Sequence, residues 1–440
     1  MKIAIIGAGV AGLTAAYRLT QHAHQVDIFE ASDHLGGLAS CFMLEHENAK
    51  LEKYYHHIFI SDLFIRNLVK ELNMEQDLLW LESSMGFYTQ DQLYPFGSPS
   101  QLLHFSPLPF LDRIRFGLVV LYLGKVHQWK KYEKITAYEW ISKYFGPNIL
   151  KIIWEPLLRG KFGTFYNQVA MAWFWARVHT RASSRQGSIE KLGYFRGGFA
   201  SLHDRLAATI LTQGGKIHFN TPVQKILTTN HHLSGLLVAD QEKKYDKLIF
   251  TAATPAFLNL CPSLPQDYIT NTTQLEFLAA QCLILVMNQP FTDIYWLNIS
   301  DPEIPIMALI EHTNLVPKEW YNQKHILYIA NYLPKNHRLF QIPKETLIQE
   351  YLPYLKKINP NFDLSWIENS YLFRDGYAQP LIPLNYSQIK PQYQTPIQDV
   401  ILANTSLVYP EDRGTNFAVD VGNQAAQLVD SSIQLKTFYE

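Results

Sequence analysis

The first thirty residues predict two short strands separated by a helix. Residues 3–6 are continuously apolar, which is typical of a strand buried on both faces of a parallel sheet. Residues 11–19 then place apolar side chains at helical spacing, and residues 25–29 are predicted as a second strand with Glu30 at its end. This strand–helix–strand order predicts an α/β fold.

The pattern also predicts elements farther along the chain. Residues 87–191 are mostly helical in pattern, and Thr136 with Glu139 forms a capping box that predicts the start of a helix. Residues 282–379 alternate apolar runs with turns, which indicates a sheet. A further strand is expected to begin at Asp399.

One apolar run has two interpretations. Residues 116–124 are apolar and are flanked by Arg113, Arg115 and Lys125. The run is too short to span a bilayer. We predict a buried helix, with a peripheral membrane contact as the alternative.

Composition narrows the class of protein. The 440 residues carry 38 basic and 39 acidic side chains, so nothing suggests a nucleic-acid partner. Cys41, Cys261 and Cys282 are scattered, without metal-ligand spacing or a disulfide framework, which favours a reducing cytoplasm. We expect a cytoplasmic protein, with association to the cytoplasmic face of a membrane left open. We see no signal peptide, because the nucleotide-binding pattern explains the apolar N-terminus.

The turn between the first strand and helix has the spacing of a dinucleotide site. Gly7, Gly9 and Gly12 form G-x-G-x-x-G, in which glycine permits the tight turn, the approach of a pyrophosphate and close helix packing. The helix N-terminus would bind the pyrophosphate. Glu30 can accept hydrogen bonds from both ribose hydroxyls, which disfavours NADP. A glycine-rich turn without a ligand is the alternative reading.

Residues 1–40, with Gly36 and Gly37 after the acid, resemble the glutathione-reductase type of FAD fold. More narrowly, they are similar to the superfamily of flavin amine oxidases, protoporphyrinogen oxidases, carotenoid desaturases and UDP-galactopyranose mutases. The resemblance implies FAD as cofactor. Relatives usually have Arg or Lys after the glycine pair, contacting the FAD phosphates, whereas this chain has Leu38. That contact is absent or comes from elsewhere.

Later segments carry the same resemblance in the same order. Residues 197–223 resemble the family's glycine pair, helix and strand, in which Val223 would contact the adenine side through its backbone. Residues 247–255 resemble the strand and loop that return to the cofactor. The run from Asn404 to Asn416 resembles the segment leading into a helix aimed at the flavin. Many relatives have Gly-Asp where this chain has Asn404 and Thr405, which puts that contact in doubt.

The resemblance implies an α/β fold in which a discontinuous Rossmann-like FAD-binding domain receives an inserted α+β substrate domain. The expected segments are 1–86, 192–262 and 396–440 for FAD, 87–191 for a helical cap, and 263–395 for a substrate sheet. The implied cofactor-binding residues are Gly7, Gly9, Ala11, Gly12, Glu30, Ala31, Gly36, Gly37, Leu38, Val223, Thr251, Asn404, Arg413, Thr415 and Asn416.

The candidate catalytic residues are Tyr55, His56, His57 and Arg413. The run His57-Ile58-Phe59 is similar to a loop of UDP-galactopyranose mutase that passes beside the flavin. An imidazole there can transfer a proton near neutral pH, or it can serve only as a hydrogen-bonding group, and the sequence leaves both roles open. A metal site is not expected, because no third ligand is apparent.

Two further arginines are candidates for substrate binding. Arg177 and Arg181 lie four residues apart and can share a helix face that suits an anionic substrate. The default interpretation of such charges is a solvated or salt-bridged surface. Asp412 and Arg413 have a stronger claim to function through the family resemblance, and a local turn-stabilising pair is the alternative.

We therefore expect an FAD-dependent oxidoreductase of the protoporphyrinogen-oxidase and amine-oxidase type that takes a hydride from an organic substrate onto flavin N5. A redox-neutral flavoenzyme of the UDP-galactopyranose mutase type and a non-catalytic flavin-binding protein are the alternatives. The small-molecule substrate, the electron acceptor and the oligomeric state stay open.

Overall fold

The computed structural model describes residues 1–45, 49–184 and 190–435. Five parallel strands form one sheet, in the order Val400–Leu402, Lys247–Phe250, Lys2–Ile6, Gln25–Phe29 and Lys216–His218. These strands come from the three separate stretches expected to bind FAD. The predicted α/β fold is confirmed, and its parallel sheet is assembled from separate stretches of the chain.

Helices and a second sheet cover the two faces of this parallel sheet. On one face, Ile3 and Ile5 pack with apolar side chains of three helices, which are Val10–Gln21, Ala200–Thr212 and Thr415–Val429. On the other face, the side chains of Ala4 and Ile6 join a core with a three-stranded sheet. Its strands are Val223–Thr229, His232–Val238 and Gln241–Lys243. Burial on both faces explains why residues 3–6 are continuously apolar.

The turn before helix Val10–Gln21, the glycine-turn helix, is too tight for side chains. A Cβ atom on Gly12 would lie 2.0 Å from the carbonyl oxygen of Gly7, whose φ is +103°. A Cβ on Gly422 in helix Thr415–Val429, the C-terminal helix, would lie 2.4 Å from the carbonyl oxygen of Ala11. Glycine at these positions lets the two helices and the first strand meet at one point.

A seven-stranded sheet forms the second large layer. Its order is Ile367–Pro380, Phe277–Met287, His325–Leu333, Ala308–Glu311, Trp296–Ile299, Met85–Thr89 and Gln92–Pro95. Neighbouring strands are antiparallel except Trp296–Ile299 with Met85–Thr89. The sheet predicted over residues 282–379 is present. The segment boundary drawn at 86/87 falls inside strand Met85–Thr89, because two strands from the N-terminal third complete this sheet.

Helices fill most of residues 97–184, and the predicted capping box is confirmed. Thr136 Oγ1 accepts from the Glu139 N–H at 3.1 Å, and Glu139 Oε2 accepts from the Thr136 N–H at 3.3 Å. Besides the three helices already given, the α-helices of the described residues are Leu63–Glu71, Pro99–His104, Phe110–Lys125, Ala137–Tyr144, Pro147–Ile149, Glu155–Phe162, Met171–Ser184, Thr254–Leu260, Gln266–Thr273, Arg338–Gln341, Lys344–Ile358 and Tyr386–Ile389. Two small sheets pair Cys41–Met43 with Lys50–Glu52 and Leu78–Glu82 with Lys191–Phe195.

The prediction that the apolar run 116–124 is a buried helix is wrong. The run lies in helix Phe110–Lys125, the surface helix, which buries Phe116 and Leu123 but exposes Leu118 and Leu121. The sequence pattern misleads because this helix is apolar on two opposite sides, and only one side meets the core.

The described residues contain no helix long and apolar enough to cross a membrane. Within the same ranges, no three His, Cys, Asp or Glu side chains are grouped as metal ligands. Cys41, Cys261 and Cys282 are free thiols; Cys41 is half-buried and the others are buried.

We expect Gly12→Ala to destabilise the protein by about 2–3 kcal/mol or more, because the backbone must move to relieve the overlap with Gly7. Thermal unfolding of the purified variant measures this, with FAD content as a second readout.

Gly117→Ala is the matched control. Gly117 also lies in a helix, but the nearest atom to its Cβ would be 3.9 Å away. Helix propensity alone then predicts a gain of up to about 1 kcal/mol. A Gly12→Ala variant as stable as Gly117→Ala would contradict the steric argument.

Candidate functional site

Gly9 of the glycine turn and the pair Gly36–Gly37 form a cradle at the edge of the parallel sheet. The Gly36 N–H donates to the Ala8 carbonyl at 2.9 Å, and Gly9 bridges to Gly36. Gly36 and Gly37 have φ of +101° and +57°, and a Cβ on Gly37 would lie 3.2 Å from Gly9 Cα. The absence of side chains lets a ligand approach the backbone here, as the sequence predicts.

The Glu30 carboxylate stands at the end of the second strand, beside this cradle. Its oxygens accept from the Ala8 N–H at 2.8 Å, the Ser32 N–H at 2.9 Å and the Ser32 hydroxyl at 2.8 Å. The Thr221 N–H donates to the Glu30 carbonyl at 2.9 Å, which brings the chain leading to Val223 alongside. The residues predicted for the adenosine end therefore lie together.

Other predicted cofactor residues are engaged within the protein. Thr251 Oγ1 donates to the Ile6 carbonyl at 2.8 Å and so holds the glycine turn. Asn404 Nδ2 donates to the Ala252 carbonyl at 2.8 Å, and its Oδ1 accepts from the Ser406 N–H at 3.1 Å. These side chains brace two loops. Their contact with a cofactor stays a prediction, as it does for Ala11 and the exposed Ala31.

A cavity of about 290 Å³ lies between the seven-stranded sheet, the helices and the histidine-bearing loop. Seven sequence-predicted residues line it: Leu38, Tyr55, His56, His57, Arg413, Thr415 and Asn416. Its other walls combine polar side chains with aromatic ones, which include Trp154, Trp173, Phe174 and Trp296. The predicted catalytic residues thus meet at one cavity.

Both candidate histidines are neutral at physiological pH. Burial, reinforced by neighbouring arginines, lowers the pKa of His56 to about 4 and of His57 to about 3. His56 Nδ1 lies 2.7 Å from the Tyr54 carbonyl, and His57 Nδ1 lies 3.3 Å from the Tyr295 hydroxyl. This arrangement favours the hydrogen-bonding interpretation over proton transfer by an imidazolium.

A buried carboxyl group anchors the loop that carries these histidines. Glu52 accepts from the Phe199 N–H and from the Tyr194 hydroxyl, each at 2.7 Å. Its carbonyl accepts from the Tyr328 hydroxyl at 2.8 Å. Burial raises the pKa of Glu52. The loop is therefore fixed to the glycine pair at 197–198 and to the seven-stranded sheet.

Asp412 joins three segments at the cavity wall. Its carboxylate accepts from Lys161 and Arg177, each at 2.8 Å, and from Trp173 Nε1 at 3.2 Å. Burial would raise the pKa of Asp412, but the two cations outweigh it and lower it to about 2. Arg177 is thus salt-bridged, as in our default interpretation, and its partner comes from the predicted cofactor segment. Arg181 also lines the cavity.

Arg413 hydrogen-bonds across the cavity instead of forming a local hydrogen-bonded turn with Asp412. Its guanidinium donates to the Tyr332 hydroxyl at 2.6 Å and to Gln379 Oε1 at 3.1 Å. Burial would raise the pKa of Tyr332, but Arg413, Lys161 and a hydrogen bond from Tyr55 together lower it.

Sequence reasoning missed Lys161, Tyr332 and Gln379. Lys161 lies in helix Glu155–Phe162, and no spacing in the sequence pairs it with Asp412. Tyr332 is one of 25 tyrosines and ends an ordinary apolar strand. Nothing in the sequence distinguished these residues.

Several buried donors near the cradle and cavity lack partners among the described residues. They include Asn416 Nδ2 and His203 Nε2. Asn416 opens the C-terminal helix, where the N–H groups of Thr415, Asn416 and Phe417 likewise make no backbone bond within the described ranges. Unpaired donors beside a glycine cradle fit a ligand with phosphate and carbonyl oxygens, as FAD has.

A model of the family described as "Flavin containing amine oxidoreductase" matches residues 10–429. Coproporphyrinogen III oxidase from Staphylococcus aureus is 24% identical over 294 residues, which cover 59% of this chain and 62% of that protein. The match therefore spans less than two thirds of that relative's length.

Solved structures share the whole fold. An oxidoreductase from Methanosarcina mazei aligns with a TM-score of 0.75 at 20% identity, over 96% of this chain and 99% of its own. Reduced UDP-galactopyranose mutase aligns with a TM-score of 0.75 at 16% identity, over 97% of this chain and 96% of its own. At these identities the likeness shows the fold alone.

We expect Glu30→Ala to weaken FAD binding by about 1–3 kcal/mol, the scale for losing hydrogen bonds to a charged acceptor. Titration of the apoprotein with FAD, followed by flavin fluorescence, measures the affinity. Asp33→Ala is the control, because Asp33 is an exposed acid three residues away. Equal affinities in the two variants would remove Glu30 from the site.

Buried histidines should make the protein less stable as the pH falls from 6.5 towards 4. Burial lowers the pKa of His312 from 6.5 to about 3, so in that range the unfolded chain binds a proton that the folded protein excludes. His312→Gln should reduce the slope of unfolding free energy against pH by up to about 1.4 kcal/mol per pH unit. Denaturant unfolding at several pH values measures it, with the exposed His231→Gln as control. An unchanged slope in His312→Gln would refute this linkage.

Proposed function

Because the chain belongs to the flavin containing amine oxidoreductase family, we propose that it is an FAD-dependent enzyme that oxidises an organic molecule held in the cavity. The family match confirms the recognition made from the motifs, and with it the FAD cofactor. The observation that carries the proposal is the convergence of the histidine loop, Arg413 and the start of the C-terminal helix on one cavity.

Bound FAD would supply the electron acceptor, taking a hydride from the substrate at flavin N5. The glycine cradle and Glu30 would hold its adenosine and pyrophosphate end. The start of the C-terminal helix points unpaired N–H groups and the positive end of its dipole at the cavity, which favours negative charge there.

The chain's own groups position the substrate and exclude water from part of the cavity. Trp173, Trp296 and Phe174 give that part of the wall apolar surfaces, which do not bind water. Removing water strengthens each remaining electrostatic contact. Neutral His57, held near Tyr295, would orient a polar group by hydrogen bonding.

Tyr332 is the residue best suited to hold or release a proton. Arg413 and Lys161 lower its pKa despite its burial, so its hydroxyl is a stronger acid than an ordinary phenol. Asp62, which also lines the cavity, is the second candidate, because burial raises its pKa to about 7. A substrate proton would pass to the ionised form of either group.

The charge of the cavity supports an anionic substrate. Four cations line it, which are Lys161, Arg177, Arg181 and Arg413. The single carboxylate of Asp412 forms salt bridges with both Lys161 and Arg177. A cationic amine would meet like charges in a low dielectric, which costs binding energy. A porphyrinogen, named for the Staphylococcus aureus relative, is one candidate for the substrate.

Anaerobic mixing of the yellow protein with coproporphyrinogen, a carotene and a primary amine tests the function. Loss of flavin absorbance reports transfer of electrons. We expect the anionic compound to reduce the flavin and the amine to fail. Rapid reduction by the amine would overturn the anionic-substrate proposal, and a coloured protein that only rearranges a substrate would favour the redox-neutral alternative.

Arg413→Ala should lower the flavin reduction potential by about 30 mV or more. A buried cation beside the flavin should be worth at least about 1.4 kcal/mol, which is about 30 mV for a two-electron couple. Arg413→Lys should restore only part, because an ammonium cannot donate to Tyr332 and Gln379 with the same planar geometry. Spectroelectrochemical titration measures the potential.

Arg159→Ala is the charge-matched control, because Arg159 is exposed and pairs with Glu155 outside the cavity. The Tyr332→Phe variant keeps Arg413 and Lys161 but removes the hydroxyl, so it separates the effect of the hydroxyl on the potential from that of the cations. An unchanged potential in Arg413→Ala, with normal FAD content, would argue against the electrostatic role.

A further inference from the structure

We propose that the outer side of the surface helix docks this protein onto an anionic lipid surface. The proposal goes beyond the proposed function and does not depend on the substrate. The outer apolar face consists of Phe110, Leu111, Ile114, Leu118, Leu121 and Tyr122.

These side chains form one continuous stripe. Leu111, Ile114, Leu118 and Leu121 recur at intervals of three and four residues, which places them on the same side of a helix. Leu111 is 77% exposed, Leu118 63% and Leu121 64%. The opposite side of the helix, with Phe116 and Leu123, is buried. Core packing therefore does not explain the outer face.

Basic residues border this face. Arg115 donates to the Tyr144 and Lys143 carbonyls, which ties the start of the surface helix to the end of the next helix. Lys125 lies at the last position of the surface helix, and Lys143 is exposed. Neither lysine forms a salt bridge within the described ranges. An apolar stripe with cations beside it is the pattern of helices that lie in a bilayer interface.

The charge of this region differs from that of the whole chain. Residues 99–151 contain eight Lys and Arg side chains and three Asp and Glu, whereas the whole chain is balanced. The three acids bond to neutral donors: Asp112 accepts from Asn148, Glu133 accepts from Ser387 and Glu139 caps its own helix. The cations of residues 99–151 outnumber the acids, so a net positive charge remains available to anionic headgroups.

The positive charge of this region also argues against a second copy of the chain as the partner of the outer apolar face. In a two-fold symmetric dimer, the face would meet itself, so the lysines and Arg115 of each copy would approach those of the other. Like charges facing each other oppose association, whereas an anionic lipid surface is complementary to them.

The surface helix also connects this face to the cavity. Its inner residue Phe116 stacks on Trp154 with ring centroids 5.6 Å apart, and it contacts Phe96 at 5.6 Å. Trp154 and Phe96 both line the cavity. One helix thus separates the proposed lipid contact from the substrate space.

Sedimentation of the FAD-loaded protein with vesicles tests the proposal. The vesicles contain phosphatidylcholine with or without phosphatidylglycerol, and flavin absorbance reports the bound fraction. We expect binding to the anionic vesicles. Leu118→Ser/Leu121→Ser should weaken it by about tenfold or more through lost apolar burial. Lys125→Glu/Lys143→Glu should weaken it by at least about fivefold per charge, and added salt should weaken the wild type.

Leu211→Ser is the matched control, because Leu211 is an exposed leucine, 53% accessible, on another helix. It should bind vesicles as the wild type does. Absence of wild-type binding, or equal binding by Leu118→Ser/Leu121→Ser, would overturn the proposal. A dimer in solution that Leu118→Ser/Leu121→Ser dissociates, without vesicle binding, would assign the face to a second copy instead. FAD content and flavin reduction in lipid-free buffer are measured alongside, so failure of the proposed function is distinguishable.

Discussion

No side chain fits between the first turn of the glycine-turn helix and the chain before it, and the rest of the site depends on that constraint. Gly12 lies against the Gly7 carbonyl, and Gly422 lies against the Ala11 carbonyl. Ala8, within this turn, donates to Glu30 and accepts from Gly36. Three segments, at residues 7–12, 30–36 and 422, therefore converge on a few backbone atoms, and they leave a groove lined by backbone where the cofactor would lie.

Charged side chains hold a second set of segments together at the cavity. Asp412 holds Lys161 and Arg177, while Arg413 holds Tyr332 and Gln379, so two adjacent residues tie the C-terminal segment to the helices and to the seven-stranded sheet. Charges removed from water are costly unless they are paired and hydrogen-bonded. The same pairing that makes burial tolerable also shapes the potential inside the cavity and lowers the pKa of Tyr332.

Local sequence signals predicted much of this structure, but its long-range contacts could not be predicted from the sequence. The glycine turn, Glu30 and the Thr136 capping box depend on residues close in sequence, so their patterns were sufficient. The bond between Lys161 and Asp412 spans 251 residues, and no spacing encodes it. The surface helix was misjudged because apolar residues on both sides do not reveal which side meets the core. The motif singled out the two histidines, which line the cavity, but burial, which only the fold determines, sets their pKa values.

The contact between the glycine-turn helix and the C-terminal helix has a consequence for how the chain folds during synthesis. Arg18 donates to Asn423 across 405 residues, beside the close approach of Gly422 to Ala11. On the ribosome, the side of the glycine-turn helix that packs on the C-terminal helix stays uncovered until residues 415–429 have emerged. Contacts of such sequence separation form slowly, because closing the loop costs entropy before any contact repays it. The topology thus leaves an apolar surface of the N-terminal segment exposed while the intervening residues are synthesised, and such a surface favours aggregation or chaperone binding.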